Sequence, residues 1–435
     1  MSRNGTGREP RREPRGAARR IVVIGAGMAA GRLAQRLATV SAGRPLDLTL
    51  IGEEPHAPYN RVLLADVLAG RYAPDVIRLP APPAAVTRRH ARAVRIDRDT
   101  RTVQCDDGTS VPYDRLVLAT GSNPVLPPLR GLFQPGGGDL PAGVHPFRTL
   151  ADCEALRAAA GDGTKAVVIG GGLLGVSAAR ALALRGAHVV LAHQGEHLME
   201  RHLDTHAADL LRRHLEDLGV EVHTECRVRG LRTRQEDEAV ADRTVTAVEL
   251  ADGFALQSDL VILACGVRPR VGLAQAAGLA VRKGVEVDDQ LRTSDPHIYA
   301  IGDCAEHDGT TYGLAGAAVE QAEVAAQVIA NPHTGSRYTG TRALTRLTLG
   351  AEPADTPFDL AAFGDTTPHP DDDVVHLTDA TRRTYRKVVV RGDRLVGGIL
   401  LGDLATVGNL ALTWETDEAL PDSPLLHLIT DNGGS

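Results

Sequence analysis

The feature that most constrains the fold of this chain is an internal repeat. In both copies, 96 residues separate the first glycine of a glycine-rich turn from a later glycine. A constant offset over several landmarks indicates a duplicated domain. The 435 residues then correspond to two repeat units and a smaller C-terminal module. Four landmark residues recur 145 positions later: Gly27 as Gly172, Gly108 as Gly253, Asp114 as Asp259 and Gly121 as Gly266.

Each copy opens with an apolar run, a glycine-rich turn and a helical pattern. The runs 21–24 and 166–169 lead into these turns. Strand, glycine turn and helix together form the dinucleotide-binding fingerprint, in which a pyrophosphate lies at the helix N-terminus. One such turn is weak evidence, because many only end a strand, but two copies predict two Rossmann-like domains. The expected contacts are Gly25, Gly27, Met28, Ala29 and Ala30 in the first copy, with Gly31 as an alternative to Ala30 for close helix packing, and Gly170, Gly172, Leu173, Leu174 and Gly175 in the second.

Composition excludes several other functions. Only 3% of the residues are aromatic and the net charge is −7, which disfavours nucleic-acid binding. No apolar run is long enough to span a membrane. The five cysteines are scattered without a C-x-x-C pair, so no metal or iron–sulfur site is predicted, and reduced thiols favour a cytoplasmic protein.

The pattern along the chain predicts an α/β fold with a small α+β C-terminal domain. Residues 1–20 are rich in arginine, glycine and proline and are expected to form a disordered lead. The first dinucleotide-binding domain is assigned to 21–125 and 285–336, and the second to 126–284. The C-terminal domain is assigned to 337–425, with a hairpin over 388–401.

Residues 21–330 resemble the two-dinucleotide-domain flavoproteins of the glutathione-reductase fold. Besides the two turns, the likeness rests on the runs 118–122, 266–269 and 299–303. The resemblance implies FAD at the first turn, NAD(P)H at the second, and hydride transfer between them. It also implies that Gly302 and Asp303 reach the FAD ribityl–phosphate, although Asp303 could instead be a helix N-cap. Further implied cofactor contacts are Ala93, Thr120, Gly121 and Gly266.

The segment 51–64 is more specific and resembles the flavin region of bacterial assimilatory nitrite reductases, in the large or the electron-transfer subunit. With the run 198–204 and the C-terminal strands, this likeness extends to about residue 412. It implies that Arg61 is a fixed cation near FAD, the alternative being a surface arginine. Relatives that reduce rubredoxin or ring-hydroxylating ferredoxins often have a lysine shortly after this arginine. No lysine precedes Lys165 here, which leaves Arg61 as the only obvious cation.

Several site positions keep two interpretations. Glu53 is the candidate for the FAD ribose hydroxyls and Glu54 is its competitor. Ser177 stands where many relatives have a glutamate that faces nicotinamide and flavin, and it can hydrogen-bond a carboxamide without adding charge. His193 follows the strand where an acid would favour NADH, so it either contacts a 2′-phosphate or only caps the strand.

The expected function is an FAD-dependent NAD(P)H oxidoreductase that passes electrons to a redox protein acceptor, a siroheme/iron–sulfur reductase or a ferredoxin-type protein. The first choice is the electron-transfer subunit of nitrite reductase. The alternatives are a ferredoxin or rubredoxin reductase, an NAD(P)H oxidase or diaphorase, and a non-catalytic flavin-binding redox sensor. No cysteine follows the first turn before Cys105, which disfavours thiol chemistry at the flavin. A homodimer through the C-terminal domain is consistent with the sequence, which leaves the acceptor, the coenzyme and the oligomeric state open.

Overall fold

The computed structural model describes residues 18–41, 46–80, 86–133, 139–235, 243–342, 344–349, 358–421 and 424–430. Residues 1–17 of the expected disordered lead lie outside this range. Its last residues differ from the expectation, because Arg19 and Arg20 already belong to the first strand, where they pair with Leu46 and Asp47.

The first repeat unit alternates strands with short helices. Its elements are β1 Arg19–Ile24, α1 Met28–Val40, β2 Leu46–Gly52, a 3-10 helix Arg61–Leu63, α2 Leu64–Leu68, β3 Val86–His90, β4 Ala93–Asp97, β5 Thr102–Cys105, β6 Ser110–Pro112, β7 Arg115–Leu118 and β8 Ser122–Pro124. The second repeat unit consists of β9 Val144–Pro146, α3 Leu150–Ala159, β10 Lys165–Ile169, α4 Leu173–Ala183, β11 His188–Ala192, α5 Thr205–Asp217, β12 Val220–His223, β13 Val228–Gln235, β14 Arg243–Leu250, β15 Ala255–Gln257, β16 Leu260–Leu263, β17 Val267–Pro269 and α6 Gly272–Ala276.

The chain continues with β18 Val285–Val287, β19 Ile298–Ala300, a 3-10 helix Gly302–Cys304, β20 Ala305–His307 and α7 Ala315–Ala330. The C-terminal elements are β21 Leu344–Thr348, β22 Asp359–Gly364, β23 Asp373–Asp379, β24 Thr384–Arg391, β25 Arg394–Gly402, α8 Val407–Thr416 and a 3-10 helix Leu425–Leu428.

The repeat forms two parallel five-stranded sheets, which confirms the predicted fold class. The first sheet has the order β19-β7-β1-β2-β3 and the second β12-β11-β10-β16-β9. The central strands β1 and β10 each end in four consecutive apolar residues that are buried, as the covered faces of a parallel sheet require. The repeat in the sequence therefore corresponds to a repeat in the fold.

The fifth strand of each sheet comes from outside the repeat. β19 pairs with β7 to complete the first sheet, although it follows the whole second unit in the chain. β9 pairs with β16 and precedes its own unit's glycine turn. The proposed domain division at 125/126 and 284/285 assigns each strand to the sheet that it completes. Two chain crossings link the units, and β8 and β17 pair in an antiparallel ribbon between them.

Each unit also carries a small antiparallel meander. β4, β5 and β6 form the first and β13, β14 and β15 the second. The helix α7, which begins two residues after Gly313, packs along α1.

The C-terminal domain is an antiparallel sheet of order β21-β22-β25-β24-β23. Its predicted hairpin is β24–β25, which turns at Gly392 with a φ of 62°. Trp414 of α8 packs on Phe363 on one face of the sheet. The opposite face shares a buried apolar cluster with α4 and α5 of the second unit. The sheet is therefore attached to the nucleotide-binding half through the second unit.

Asp204 anchors this attachment. It caps α5 by accepting the N–H of Ala207, and it also accepts hydrogen bonds from Tyr385 Oη at 2.8 Å and Lys387 Nζ at 2.9 Å. Burial alone would raise the pKa of the Asp204 carboxyl, but these hydrogen bonds outweigh it and hold the pKa below its ordinary value. The stabilisation is therefore present above the ordinary carboxyl range and is lost as the pH falls through the native pKa.

Among the described residues, no helix combines the length and the apolar character needed to cross a membrane.

Asp204→Asn should weaken the attachment of the C-terminal domain. The amide keeps a capping oxygen but loses the charge that faces Lys387, so the free energy of unfolding should fall by about 1.5–3 kcal/mol. Thermal unfolding at neutral pH measures the change. The control is Asp209→Asn on the exposed side of the same helix, which should stay within about 0.5 kcal/mol of wild type. Equal midpoints for the two variants would contradict the anchoring role.

Candidate functional site

A cavity of about 800 Å³ lies at the carboxyl ends of β1, β2 and β7. This volume is in the upper part of the usual range for ligand cavities, about 300–1,000 Å³. Its wall also includes the N-termini of α4 and α7 and part of β21, so all three domains contribute. The predicted site residues on the wall are Gly25, Gly27, Met28, Ala29, Glu53, Arg61, Ala93, Thr120, Gly121, Leu173, Leu174, Ser177, Gly302 and Asp303.

The two glycines of the first turn have different surroundings. The space beside Gly25 is filled by the protein backbone, whereas the space beside Gly27 is open to a ligand. Gly25 has a φ of 112°, and a Cβ there would overlap the carbonyl oxygen of Ala119. At Gly27, by contrast, a Cβ would meet nothing within 4 Å. Gly27 is also the N-cap of α1 and has no side chain with which to cap that helix. An open helix N-terminus on a glycine cradle fits the phosphates of a dinucleotide.

The second turn repeats this construction. Gly170 has a φ of 113°, and a Cβ there would lie 2.5 Å from the carbonyl oxygen of Ala264. Gly172 is open, as Gly27 is, and it precedes α4 without a side-chain cap. A Cβ at Gly175 would overlap the carbonyl oxygen of Gly170, so this glycine permits the close helix packing.

The same comparison decides between Ala30 and Gly31 in the first unit. Ala30 lies five residues after Gly25, as Gly175 lies after Gly170, and it is completely buried. A Cβ at Gly31 would make only an ordinary contact, 3.4 Å from Leu79. Ala30 is therefore the residue at the close helix contact. It is one of six predicted residues that do not line the cavity, the others being Gly170, Gly172, Gly175, His193 and Gly266.

Asp303 faces the cavity as part of a fixed polar group. Its carboxylate accepts a hydrogen bond from Ser122 Oγ at 2.7 Å and forms an ion pair with Arg148. It lies inside the 3-10 helix Gly302–Cys304, whose N-cap is Ile301, so the interpretation of Asp303 as an N-cap is wrong. Gly302 has a φ of 75°, which turns the chain here.

Glu54 and Arg61 form a second fixed group on the wall. Glu54 accepts a hydrogen bond from Tyr59 Oη at 2.7 Å and pairs with Arg61. Arg61 also donates to the carbonyl oxygen of Arg148 at 2.9 Å, and its guanidinium lies 5.0 Å from the ring centre of Tyr59. These contacts hold Arg61 in the cavity wall, so it is not simply a surface arginine.

Glu53 is used differently from its neighbour. Its carboxylate is about 39% exposed and contacts Arg270 through both oxygens, one of them at 3.1 Å. Glu54 is committed to Tyr59 and Arg61 within the protein. Glu53 is therefore the better placed of the two for an external hydroxyl.

The expectation of a single cation was wrong. Five further arginines line the described cavity wall: Arg92, Arg148, Arg268, Arg270 and Arg346. Arg268 belongs to the run 266–269, but no local motif marked the other four. The packing of three domains brings these distant segments to one wall.

Ser177 and His193 both make hydrogen bonds within the protein. Ser177 Oγ donates to the carbonyl oxygen of Leu173 at 2.7 Å, so toward a ligand the hydroxyl is left as an acceptor. His193 Nδ1 accepts the N–H of Gly171 at 3.1 Å. Burial lowers the pKa of His193, which favours the neutral ring. This geometry favours the strand cap over a contact with a 2′-phosphate.

Comparison with known proteins places this geometry in a family. Residues 19–325 match the model of pyridine nucleotide-disulphide oxidoreductases, which is more than half of the chain. This chain belongs to that family. Residues 356–411 match a second model, the C-terminal domain of rubredoxin NAD+ reductase.

Two Bacillus subtilis proteins are among the most similar relatives of this oxidoreductase-family chain. The nitrite reductase [NAD(P)H] is 33% identical over 414 residues, which are 92% of this chain and 48% of the relative. The assimilatory nitrate reductase electron transfer subunit is 33% identical over 392 residues, 88% of this chain and 48% of the relative. The chain thus spans about half the length of these relatives.

Solved structures agree with this assignment. The ferredoxin reductase for the CYP199A2 system from Rhodopseudomonas palustris superposes with a TM-score of 0.79 at 27% identity. The match covers 92% of this chain and 95% of that protein, so the whole three-domain arrangement is shared.

Alanine at Gly25 and at Gly27 should have opposite consequences. Gly25→Ala forces a methyl group onto the Ala119 carbonyl at a strained φ, and should cost about 2–4 kcal/mol of unfolding free energy. Gly27→Ala has room and a compatible φ of −89°, so its stability should change by less than about 1 kcal/mol. Its methyl group would instead enter the cavity and lower the amount of flavin that copurifies with the protein. Thermal unfolding and absorbance spectra of both variants test this, and equal stability of the two would contradict the turn geometry.

Proposed function

We propose that this chain is an FAD-dependent NAD(P)H oxidoreductase that passes electrons to a one-electron protein acceptor. The observation that carries the proposal is that both glycine-turn helices reach one cavity. Met28 begins α1 on the wall, and Leu173 and Leu174 begin α4 on the same wall. Two dinucleotides held at these turns would meet inside the cavity, as hydride transfer requires.

The first turn is proposed as the FAD site. Gly25 and Gly27 would accommodate the pyrophosphate, Glu53 the adenosine ribose, and Asp303 the ribityl chain. FAD supplies the conversion of a two-electron donor to one-electron output. The fixed guanidinium of Arg61 and the N-terminus of α7 would give the flavin end positive potential. Thr120, Gly121, Ala93 and Gly302 would complete the wall around it.

The second turn is proposed as the NAD(P)H site. Gly172 would hold its phosphates, Gly170 and Gly175 would shape the turn through their close backbone packing, and Gly266 would border the site. Ser177 faces the cavity from α4, and its hydroxyl oxygen can accept a hydrogen bond from a carboxamide N–H. That contact positions nicotinamide without placing a negative charge beside it.

Nitrite reduction is the proposed pathway. Support comes from the resemblance of 51–64 and from the nitrite and nitrate reductase relatives, which match nearly the whole chain at 33% identity. In this role the chain would deliver electrons to a siroheme or iron–sulfur centre. We further propose that it acts in the cytoplasm.

A ferredoxin or rubredoxin reductase is the second candidate. The C-terminal match to rubredoxin NAD+ reductase and the full-length structural likeness to a ferredoxin reductase favour it. A homodimer through the C-terminal domain is proposed only for its edge strand β23. Both faces of the sheet pack within the chain, and the other edge strand, β21, contributes to the cavity wall. The acidic run 371–373 is a weak docking surface, since Asp372 is paired with Arg391 at 2.8 Å.

An oxidase that uses a thiol at the flavin receives no support from the cavity. All five cysteines lie among the described residues, and none is part of its wall. Burial raises the pKa of Cys265 to about 11 and that of Cys153 to about 11, which disfavours reactive thiolates.

Anaerobic titration tests the proposed hydride transfer. FAD-loaded protein mixed with NADH or NADPH should lose its visible flavin absorption, because the helices that follow the two turns both reach one cavity. The control is Gly172→Ala, whose methyl group would enter the second turn and should slow reduction without removing FAD. Wild-type protein that binds FAD but is reduced by neither coenzyme would contradict the oxidoreductase proposal.

The acceptor is tested separately. Reduced protein should be reoxidised faster by a purified siroheme-containing nitrite reductase than by rubredoxin or a ring-hydroxylating ferredoxin. Faster reaction with the small iron–sulfur proteins would favour the second candidate. Rapid reoxidation by oxygen alone would favour an oxidase.

A further inference from the structure

The ion pair between Glu53 and Arg270 spans one end of the cavity. Glu53 directly follows β2, and Arg270 directly follows β17. Both guanidinium Nη atoms contact the carboxylate, Nη2 at 3.1 Å from Oε2. The two residues are 217 positions apart and both line the wall. This two-point geometry fixes the position of the guanidinium better than a single contact does.

The backbone of Arg270 is fixed on the opposite side of the glycine turn. Its N–H donates to the carbonyl oxygen of Gly121 at 2.9 Å, and its carbonyl oxygen accepts from Thr120 Oγ1 at 2.9 Å. These two residues follow β7. Because β1 lies between β2 and β7 in the sheet, the Arg270 side chain crosses the carboxyl end of β1, where Gly25 and the first turn begin.

We propose that Arg270 and Glu53 form a clasp over the adenosine half of FAD and control its release. The inference rests on the FAD site proposed above. An arginine has five N–H donors and a carboxylate has about four acceptor positions, so the pair has groups left for other partners. Glu53 can accept ribose hydroxyls while Arg270 faces the pyrophosphate charge. Arg270 is a positioning residue that acts on FAD partly through Glu53.

The exposure of the pair separates this role from a structural one. Both side chains are about 40% exposed, and exposed ion pairs contribute little to folding stability. A clasp predicts that losing Arg270 changes the release of FAD while unfolding of the FAD-free chain stays nearly the same. A merely structural bridge predicts no specific change in release.

The test is the rate at which FAD leaves the full, FAD-loaded chain after dilution, followed by the rise in FAD fluorescence. Arg270→Ala should release FAD about fivefold to tenfold faster than wild type. Arg270→Lys should restore part of the retention, because it keeps the charge but loses the two-point contact. Added KCl should accelerate release from wild type more than from Arg270→Ala.

The matched control is Arg282→Ala. Arg282 also forms an exposed ion pair, with Glu286 at 2.7 Å, but it lies outside the cavity wall. Its variant should release FAD at the wild-type rate. Wild-type release from Arg270→Ala, or equal acceleration in both alanine variants, would overturn the clasp alone. Wild-type chain that binds no FAD would overturn the proposed function and the clasp with it.

Discussion

Both glycine turns of this protein depend on a close backbone contact. In each turn, a carbonyl oxygen occupies the space that the side chain of any residue other than glycine would need. The carbonyl of Ala119 lies where a Cβ of Gly25 would be, and that of Ala264 lies against Gly170 in the same way. The strand that precedes each carbonyl, β7 or β16, can therefore pair closely with the central strand while the chain reverses into a helix. The helix N-terminus then stays at the carboxyl edge of the sheet, open to a ligand.

The chain passes from the first unit to the second and back again, and these two connections determine how the helix N-termini face each other. The first sheet takes β19 from beyond the second unit, and the ribbon of β8 and β17 joins the two crossings. The C-terminal sheet packs on the second unit through Asp204 and a shared apolar cluster. Three domains thus enclose one cavity. Since reactive groups must be held close together, this arrangement matters more to the proposed chemistry than either unit alone.

Charge along the cavity is organised as paired groups. Arg61 pairs with Glu54, Arg148 with Asp303, and the clasp joins Arg270 to Glu53. Each acid holds a guanidinium in position, so the wall has directed donors. Arg92, Arg268 and Arg346 also line the wall and leave it positively charged overall. Such preorganised donors suit a ligand that carries a pyrophosphate.

The sequence by itself determined the duplicated α/β fold, the glycine turns and the antiparallel C-terminal hairpin. These features follow from local rules: apolar runs form buried parallel strands, and glycine permits backbone that other residues avoid. The sequence also singled out Glu53, because it directly follows a strand of the first sheet, where ligands bind. Asp303 was singled out by the resemblance to the flavoprotein family.

Only the tertiary structure decided which charged groups share the cavity. Arg148, Arg270 and Arg346 reach the wall from segments far from Arg61, and no spacing in the chain marks their contacts. The tertiary structure also distinguished the roles of neighbouring residues. It favours Glu53 over Glu54 for an external hydroxyl, and Ala30 over Gly31 for the close helix contact. The physical reason is that local propensity fixes the path of each segment, whereas the partner of a side chain depends on which distant segment packs against it.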